Sequence, residues 1–392
     1  MEAFADEADP SGVEDLLAAA FQVLVTDSGH ISKIKRMFVL DKRWARWDGE
    51  CRKRTSLRFS GENVMNVIQR AVALGVGAAL LQALMLVAFA WPATNIAPRD
   101  LPLAVAGPQA AVVEARLSGQ NPGAFELTVL PDETAAREAI NEREVYGAIV
   151  TGGGAPRMLV ASGAAPAVAQ QLTQIGQQLS GAPAAPVEDV VPADPDDPRG
   201  AGFGAMALPL VMAGIAGGVL LTLLVPSAGG RALGVLVFGI AGGLLSMLVT
   251  QGWLSIVPGD YLTLSAVAGL VSFAVAGTVT GLATVIGRAG IGIAALTMLL
   301  IGNPFSAATA APELLPQPWG AIGQLLPPGA AASLLRSVAF FDGAGALRPI
   351  LILLAWAGFA VVLLGIGAIR DRDRAEPALS TGPASEPVPV TA

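Results

Sequence analysis

The chain has 392 residues, of which 53% are apolar and only 14% are charged, and its mean hydropathy is +0.60. Soluble domains carry charge on about a quarter of their residues, so much of this chain is expected to lie away from water. The net charge of −7 argues against a nucleic-acid partner, because phosphate binding needs clustered Lys and Arg. One cysteine, Cys51, and one histidine, His30, exclude an internal disulfide framework and a zinc site built from Cys or His.

Residues 1–64 differ in composition from the rest of the chain. The four lysines, the cysteine and the histidine all lie in the first 53 residues. Two interpretations stay open. Residues 1–64 are either a cytoplasmic extension or the product of a start site assigned too far upstream, with translation beginning at Met65. As an extension, they would form a short amphipathic helix over 13–25 and a basic, Trp-containing segment over 33–58 suited to the inner membrane surface.

Residues 65–91 are predicted to form the first transmembrane helix. Ala71 to Trp91 is a run of 21 residues without a charge, enough to cross a hydrocarbon core of ~30 Å. Arg70 precedes the run, and Trp91-Pro92 is typical of a membrane interface and a helix stop. The run exceeds the ~7–15 residues of a signal peptide, which favours an uncleaved anchor over a cleaved leader. In both cases the following residues are expected outside.

Residues 92–180 are predicted to be a small extracytoplasmic α/β domain. Thirteen acidic residues and six arginines lie between 92 and 203. Asp132, after Pro131, has the residue type and position of a helix N-cap. The predicted strands are Leu101–Ala106, Phe125–Leu130, Tyr146–Val150 and Arg157–Ala161, and the predicted helices are Gln109–Leu117, Asp132–Asn141 and Pro166–Leu179.

Two short segments contain residues found in phosphate-binding and calcium-binding loops, but their sequence context does not support either site. Thr151-Gly152-Gly153-Gly154 lacks the Lys-Ser/Thr that follows in a phosphate loop, so we expect a hairpin turn. Residues 181–203 are rich in Pro and Asp and are predicted to be an extended linker. Its acids Asp194, Asp196 and Asp197 lack the spacing of a calcium loop and are expected to be solvated.

Further transmembrane helices are predicted in residues 204–302, which hold four, and in residues 349–370, which hold the last. The joints between them alternate in side, and the arginines lie in the short joints of one side and after the last span, whereas the opposite joint Gly252–Tyr261 carries Asp260 and no base. The positive-inside rule places the N- and C-termini in the cytoplasm of a plasma-membrane protein and residues 92–203 outside. The predicted spans are Ala205–Val225, Ala232–Gln251, Leu262–Ile286, Ala289–Ile301 and Pro349–Ile369, and the topology-determining arginines are Arg70, Arg231, Arg288, Arg370, Arg372 and Arg374.

The predicted fold class is therefore an all-α membrane bundle of about six transmembrane helices, with a small α/β domain inserted after the first. The span Ala289–Ile301 is short; it either continues past Pro304 towards Ala311 with a kink or is partly re-entrant. Residues 303–348 are predicted to be an outer Pro-rich loop with a helix at Ala330–Phe341, and residues 371–392 a disordered cytoplasmic tail.

Pairs of glycines four residues apart occur in three predicted spans. Such pairs let helix backbones approach closely, where dispersion and not hydrophobicity drives association. Internal packing of the bundle is favoured over a sliding or dimerising face, so a homodimer stays an alternative. The pairs are Gly214/Gly218, Gly239/Gly243 and Gly277/Gly281.

No Asp, Glu, Lys, Arg or His lies inside any predicted span. Proton- and ion-coupled transporters place ionisable residues at mid-membrane, so this absence argues against a proton-driven antiporter. The sequence also lacks a Walker motif and any serine paired with a usable histidine. We therefore expect no catalytic residues, no cofactor and no resident metal.

Two stretches resemble the membrane subunits of type-2 ATP-binding-cassette exporters, in particular their phage-infection-protein-like branch. The first runs from Leu130-Pro131-Asp132 through Ala139-Ile140 to Tyr146-Gly147-Ala148-Ile149-Val150. The second is Gly302-Asn303-Pro304-Phe305 followed by Leu325-Leu326-Pro327-Pro328-Gly329-Ala330 and Leu335-Arg336. The resemblance implies a permease-like protein working with a separate ATPase subunit. The joint Pro226–Arg231 departs from the family, because six residues cannot form the usual cytoplasmic coupling helix.

The resulting hypothesis is a transport component in a bacterial cell envelope that exports an amphipathic or envelope-related substrate, with the lipid bilayer and an energising subunit as partners. The alternative is a non-transporting scaffold or surface receptor whose α/β domain binds a protein. The candidate functional surface is the Pro-rich, non-helical backbone of the outer loop. Its residues are Asn303, Pro304, Phe305, Pro327, Pro328 and Arg336.

Overall fold

A computed structural model describes residues 61–152, 156–180 and 187–380 of the protein. The predictions for residues 1–60, 153–155, 181–186 and 381–392 lie outside the described residues. The chain divides into two compact units, Met1–Ala78 and Ala79–Ala392. The α/β domain and the helix bundle both belong to the second unit.

The described residues contain eleven α-helices and five β-strands. They also contain two π-helical segments, Leu248–Trp253 and Thr297–Gly302, and a 3₁₀ turn over Pro312–Leu314. The elements are α1 (Gly61–Thr94), β1 (Leu101–Ala106), α2 (Ala110–Gln120), β2 (Phe125–Leu130), α3 (Glu133–Asn141), β3 (Gly147–Val150), β4 (Arg157–Val160), α4 (Pro166–Ser180), β5 (Val187–Asp189), α5 (Ala201–Leu224), α6 (Ala228–Met247), α7 (Tyr261–Ile286), α8 (Arg288–Leu296), α9 (Trp319–Gln324), α10 (Pro327–Phe340) and α11 (Leu347–Ser380).

Five helices of the described residues are long and apolar enough to cross a membrane, which indicates a membrane-spanning protein. They are Asn66–Thr94, Ala201–Leu224, Ala228–Trp253, Tyr261–Ile286 and Leu347–Asp373.

The predicted span Ala289–Ile301 is not among these five helices, and the count of about six spans stays a prediction. The helical segment Arg288–Gly302 is roughly 22 Å long at 1.5 Å per residue, short of a hydrocarbon core of ~30 Å. It ends at Gly302, so its continuation past Pro304 as a helix is wrong. At this end Gly302 packs against the ring of Pro328, and a Cβ there would lie 2.7 Å from it.

Helix α7 lies at the centre of the bundle. In its most apolar stretch 72% of the residues are buried, against 22–28% for α5, α6 and α11, which pack around it. The hydroxyl of Thr280 donates to Gly218 O on α5 at 3.2 Å and to Ala276 O on its own helix at 2.7 Å. The hydroxyl of a buried threonine is thus satisfied by backbone carbonyls, one of them on another helix, as lipid-embedded packing requires.

The sheet of the α/β domain has the strand order β2-β1-β3-β4-β5. Strand β1 is parallel to β2 and β3, β3 and β4 are antiparallel, and β4 and β5 are parallel. The four predicted strands are confirmed to within one residue, and so is the hairpin, because Val150 pairs with Arg157 across its turn. The predicted N-cap is also confirmed, since Asp132 Oδ1 accepts a hydrogen bond from Ala135 N at 2.9 Å.

Several predicted boundaries are corrected. The linker 181–203 contains strand β5 and the first residues of α5, because Met158 to Val160 offer a free strand edge to Val187–Asp189. Helix α1 passes through Pro92 and ends at Thr94, whose hydroxyl caps Ala90 O at 2.9 Å. Helix α10 begins at Pro327, where a proline fits the first turn of a helix. Helix α11 continues to Ser380, so residues 371–380 of the predicted disordered tail are helical.

The Pro-rich segment 303–346 packs into the core of the α/β domain. Ala310, Ala311 and Leu314 join the buried cluster on one face of the sheet, and Phe341 joins the cluster on the other face. The backbone of residues 97–99 is bonded to the 3₁₀ turn, with Ala97 N donating to Leu314 O at 3.1 Å. We call the α/β domain (101–189) together with residues 303–346 the cap, because the two segments share one core.

The helix bundle has two chemically different ends. Trp319 and Trp356 lie at the end next to the cap, the cap end, where Trp356 Nε1 donates to Leu325 O at 2.9 Å. Arg231 and Arg370 lie at the opposite end, the far end, where Ala228 N donates to Asp371 Oδ2 at 2.8 Å. The segment 288–310 runs the length of the bundle, since Gly290 packs on Leu282 near the far end and Ala310 lies in the cap.

Candidate functional site

The six glycines of the predicted packing pairs all lie at contacts with another helix of the same chain. A Cβ at Gly243 would lie 2.2 Å from Ser265 O of α7, and one at Gly218 would lie 2.8 Å from Ala276 O of α7. The other contacts are Gly214 with Val275, Gly239 with Phe273, Gly277 with Ala360 and Gly281 with Leu363. These positions are therefore occupied by packing inside the bundle.

Two of the topology-determining arginines bond helix ends at the far end. Arg231 Nε donates to Val225 O at 2.8 Å and its Nη2 to Thr222 O at 3.1 Å, which satisfies the last carbonyls of α5. Arg370 Nη1 donates to Val285 O at 3.2 Å. Of the remaining four, Arg70, Arg288 and Arg372 are exposed. For Arg374 only the backbone is described, and it lies within α11.

The predicted outer-loop surface is mostly interior, and this is a correction. Phe305, Pro327, Pro328 and Arg336 are buried, and Asn303 and Pro304 are half-buried. The ring of Phe305 stacks on that of Trp319 with 5.3 Å between centroids. The prolines and aromatic rings pack against neighbours because the loop forms part of the cap. Of the six residues, Arg336 alone lines the polar cavity described next.

A polar cavity of about 510 Å³ lies between the α/β domain and the cap end of the bundle. Its wall includes four arginines, at positions 99, 143, 336 and 348, and three acidic residues, Asp100, Glu126 and Glu313. Pro349 and Ile352, in the first two turns of α11, form part of the same wall. The cavity thus joins a positively charged interior to the beginning of a membrane span.

Arg336 is the most deeply buried charge of the cavity, with 6% of its surface exposed. Its Nη2 donates to Ala308 O at 2.8 Å, and its guanidinium lies over the ring of Phe203, 5.0 Å from the centroid. Burial, together with the nearby positive charge of Arg143, lowers the pKa of Arg336 to about 10. The side chain therefore keeps its charge at neutral pH in a poorly solvated position.

Arg143 enters the cavity from the turn after helix α3. Its φ is +59°, and its N–H donates to Ile140 O while Glu144 N donates to Ala139 O. This is the Schellman pattern at a helix C-terminus, whose left-handed position is normally glycine. The Arg143 side chain contacts the segment 303–346. Its Nη1 donates to Ser333 O at 3.1 Å, and its guanidinium lies 5.2 Å from the ring centroid of Phe341. Burial lowers the pKa of Arg143.

Tyr146 and Glu313 form the polar contact between the sheet and the 3₁₀ turn. The Tyr146 hydroxyl donates to Glu313 Oε2 at 3.0 Å. Burial, and secondarily the negative charge of Glu313, raises the pKa of Tyr146 well above its usual range. The protonated phenol is therefore the stable form, and it holds the carboxylate of Glu313 at the cavity wall.

Sequence reasoning found Arg336 but missed Arg143, Tyr146 and Glu313. Two signals were present. Glu313 and Arg336 are the only charged residues between Arg288 and Asp342, in a segment that is otherwise apolar or small. Arg143 follows the predicted helix end Asn141 at the place where a glycine is expected. Neither signal indicates that these side chains meet, because they are about 170 to 190 residues apart in the chain.

Two open apolar grooves lie on the outer surface of the bundle. One of about 550 Å³ lies between α5, α6 and α7 and includes Met206, Leu245 and Ser272, and another of about 380 Å³ lies between α6 and α7. The hydroxyl of Ser265, on the wall of the second, has no hydrogen-bond partner among the described residues. Among the same residues, no cluster of His, Cys, Asp or Glu could hold a metal ion.

No family model matches this chain, and neither a curated protein nor a solved structure matches it.

Proposed function

We propose that the protein is a multi-pass component of a plasma membrane with both termini in the cytoplasm and the cap outside. Arginines at the far end support this orientation, because arginine is enriched on the cytoplasmic side, and Trp356 at the cap end is typical of a membrane interface. Placing the cap outside also agrees with its acidic residues, which exceed the arginines between 92 and 203.

The orientation is tested with single cysteines in a chain in which Cys51 is replaced by alanine. A cysteine at Gln120, exposed on α2, should react with a membrane-impermeant maleimide in intact cells. A cysteine at Gly229, where a Cβ meets no atom within 4 Å, should react only after the membrane is opened. Labelling of both sites in intact cells would overturn the proposed orientation.

Within that orientation, the protein acts as the membrane subunit of a transport system for an amphipathic compound. The observation that carries this proposal is the 510 Å³ cavity, which combines the buried Arg336 and the half-buried Arg143 with residues of the last membrane span. A polar cavity between a domain and a bundle is a common position for a small-molecule site. The open apolar grooves on α5, α6 and α7 offer a surface along which a hydrocarbon chain could lie.

The energy for transport would come from a separate subunit that hydrolyses ATP, as the resemblance to type-2 ATP-binding-cassette exporters implies. In support, the charged residues of the five long spans lie only near their ends. Such spans offer no mid-membrane carboxylate for coupling to a proton gradient.

A scaffold or surface receptor is the second candidate, and one observation favours it. Helices α5 and α6 are joined by Val225–Ser227, three residues that cannot form a helix for an ATPase to grip. In this alternative the cap would bind another envelope protein, and the cavity would serve only the structure of the cap.

Purification of the full chain from its native membranes in a mild detergent decides between the two. A transport subunit should co-purify with a nucleotide-hydrolysing protein, and the complex should hydrolyse ATP faster than the same preparation from cells lacking the gene. A complex that contains an envelope protein but no nucleotide hydrolase would overturn the transport proposal and support the scaffold.

A further inference from the structure

We propose that the cap cavity binds the anionic head group of an amphipathic molecule, with the guanidinium groups of Arg143 and Arg336 as its ligands. The proposal deepens the transport function and rests on it for the view that the bound molecule is the transported one. The ligand chemistry is that of an oxyanion, a phosphate or a carboxylate, attached to a hydrocarbon chain.

The charges of Arg143 and Arg336 are not balanced by an ion pair within the described residues. Among the described residues, neither Arg143 nor Arg336 belongs to a salt bridge, although three such bridges occur elsewhere in the cap. Arg336 donates one hydrogen bond to protein, although its guanidinium has five N–H groups. Glu313, on the same wall, acts electrostatically on Arg143 but forms no ion pair with either arginine. An oxyanion in the cavity would supply acceptors for the unused N–H groups and the directly paired charge that a buried cation needs.

The two guanidinium groups are also held in place by their neighbours. Each guanidinium lies over an aromatic ring, that of Phe203 for Arg336 at 5.0 Å and that of Phe341 for Arg143 at 5.2 Å from the centroid. Such cation–π contacts occupy no N–H donor, and two parallel N–H groups of a guanidinium match the two oxygens of a carboxylate or phosphate. The hydrogen bonds to Ala308 O and Ser333 O hold the two side chains in place before a ligand arrives.

The backbone conformation of Arg143 also points to a functional side chain. Its left-handed conformation is one that glycine adopts without steric strain and arginine does not. Local strain of this kind is concentrated at functional sites, where the side chain serves a purpose that the fold alone does not need. The turn would form at least as well with glycine, so the arginine side chain is what the position provides.

The apolar part of the cavity wall favours an amphiphile over a free anion. The wall of the cavity includes Pro349 and Ile352 of α11 and the small residues Ala307 and Ala310. A head group at the arginines therefore lies next to the start of a membrane span, where an attached hydrocarbon chain can remain in an apolar environment. Inorganic phosphate would use the arginines but gain nothing from this wall.

The experiment measures binding to the purified full chain in dodecyl maltoside, by thermal unfolding and by calorimetric titration. The probes are dihexanoyl phosphatidic acid, dihexanoyl phosphatidylcholine and inorganic phosphate. We expect phosphatidic acid to raise the unfolding temperature of the wild type and to bind about tenfold or more tightly than either of the others, since only it joins a strongly anionic head to a hydrocarbon chain.

The informative variant is Arg143→Gly, because glycine suits the turn and the fold is expected to survive. Its unfolding temperature without ligand should stay close to that of the wild type, because relief of the left-handed strain offsets the lost hydrogen bond to Ser333 O, while its affinity for phosphatidic acid should fall about tenfold or more. Arg116→Gln, which removes the same charge from an exposed position on α2, is the matched control and should leave binding unchanged. Arg336→Lys keeps the charge but not the planar fork and should bind with intermediate affinity.

Equal binding by Arg143→Gly and the wild type would overturn the site. Phosphate binding as tight as phosphatidic acid would overturn the amphiphile in favour of a free oxyanion. The site and the transport role fail separately: phosphatidic acid binding without a nucleotide-hydrolysing partner leaves the site and removes the transport role. A partner without phosphatidic acid binding removes the site alone.

Discussion

The helix bundle and the cap are built by different interactions, although they meet along one boundary. In the bundle, glycines bring backbones together, as where a Cβ at Gly243 would lie 2.2 Å from Ser265 O. In the cap, arginines and a tyrosine join segments far apart in the chain, as where Arg143 donates to Ser333 O. Lipid offers the bundle no hydrophobic force between helices, so close packing must hold it together. The cap, by contrast, combines charge, burial and hydrogen bonds.

The largest expected effect comes from filling a glycine contact of the bundle. Gly243→Ala would place a methyl group against the backbone of Ser265 and Gly269, atoms that cannot move without separating α6 from α7. We expect a loss of about 4 kcal/mol or more in the free energy of unfolding, measured by thermal unfolding in detergent. Gly365→Ala, on α11 with no atom within 4 Å of the added Cβ, is the control and should be neutral or slightly stabilising. Equal effects would contradict the role of the glycine contacts.

The next effect tests whether the cap is one core. Leu314 is fully buried against the sheet, so Leu314→Ala should destabilise the protein by about 3 kcal/mol. The α/β domain should also become sensitive to protease, because part of its core comes from the distant segment. Leu325→Ala, at an exposed leucine of the same segment, should change neither property. A domain that stays resistant in Leu314→Ala would show that it folds without the segment 303–346.

A smaller effect is expected at the polar contact between sheet and 3₁₀ turn. Tyr146→Phe removes the hydrogen bond to Glu313 and should cost about 1 kcal/mol. Since burial raises the pKa of Tyr146, its contribution is fully present below the pKa of an unfolded tyrosine, about 10, and is lost as pH rises from there towards the folded pKa. The chain has two tyrosines, so in Tyr261→Phe the tyrosinate absorbance reports Tyr146 alone. Ionisation of Tyr146 near pH 10 in the folded state would contradict its burial.

The smallest effect is expected on the solvent side of the cap. Glu133 accepts hydrogen bonds from Arg137 and Arg157, and the hydrogen bond from Arg137 is the main cause of its lowered pKa. Its contribution is present above the unfolded pKa of about 4.3 and is lost as pH falls through the lowered folded pKa. Glu133→Gln should therefore cost only about 0.5 kcal/mol at neutral pH, and less at high salt. Glu138→Gln, at an exposed acid of the same helix in none of the ion pairs described, should have no such pH dependence.

Much of the fold could be predicted because its signals are local. Alternating and continuous apolar runs predicted the strands Leu101–Ala106 and Phe125–Leu130, and Asp132 predicted a helix start. Long apolar runs predicted the spans. Strand β5 was missed because Val187–Asp189 is too short to show a pattern and is stabilised by pairing with β4. The continuation of the helix after Arg288 past Pro304 was wrong, since the helix ends at Gly302, which packs against Pro328, 26 residues further on.

The candidate site could not be assembled in the same way. Arg336 was singled out for its Pro-rich surroundings and was expected on a surface, whereas it is buried. Its neighbours Phe203 and Arg143 come from other parts of the chain, and no periodicity links them to it. The Schellman position of Arg143 is readable as a departure from a local rule, but its contact with Ser333 is not.

The sequence by itself determined that this protein spans a membrane, where its helices and most strands begin, and which glycines allow close packing. Each of these follows from residues within a few turns of one another, because hydropathy, capping and backbone freedom act over short distances. The tertiary structure alone decided that the Pro-rich segment completes the α/β core and that two arginines share one cavity. These depend on free energies of burial between residues up to about 200 positions apart, which no local pattern records.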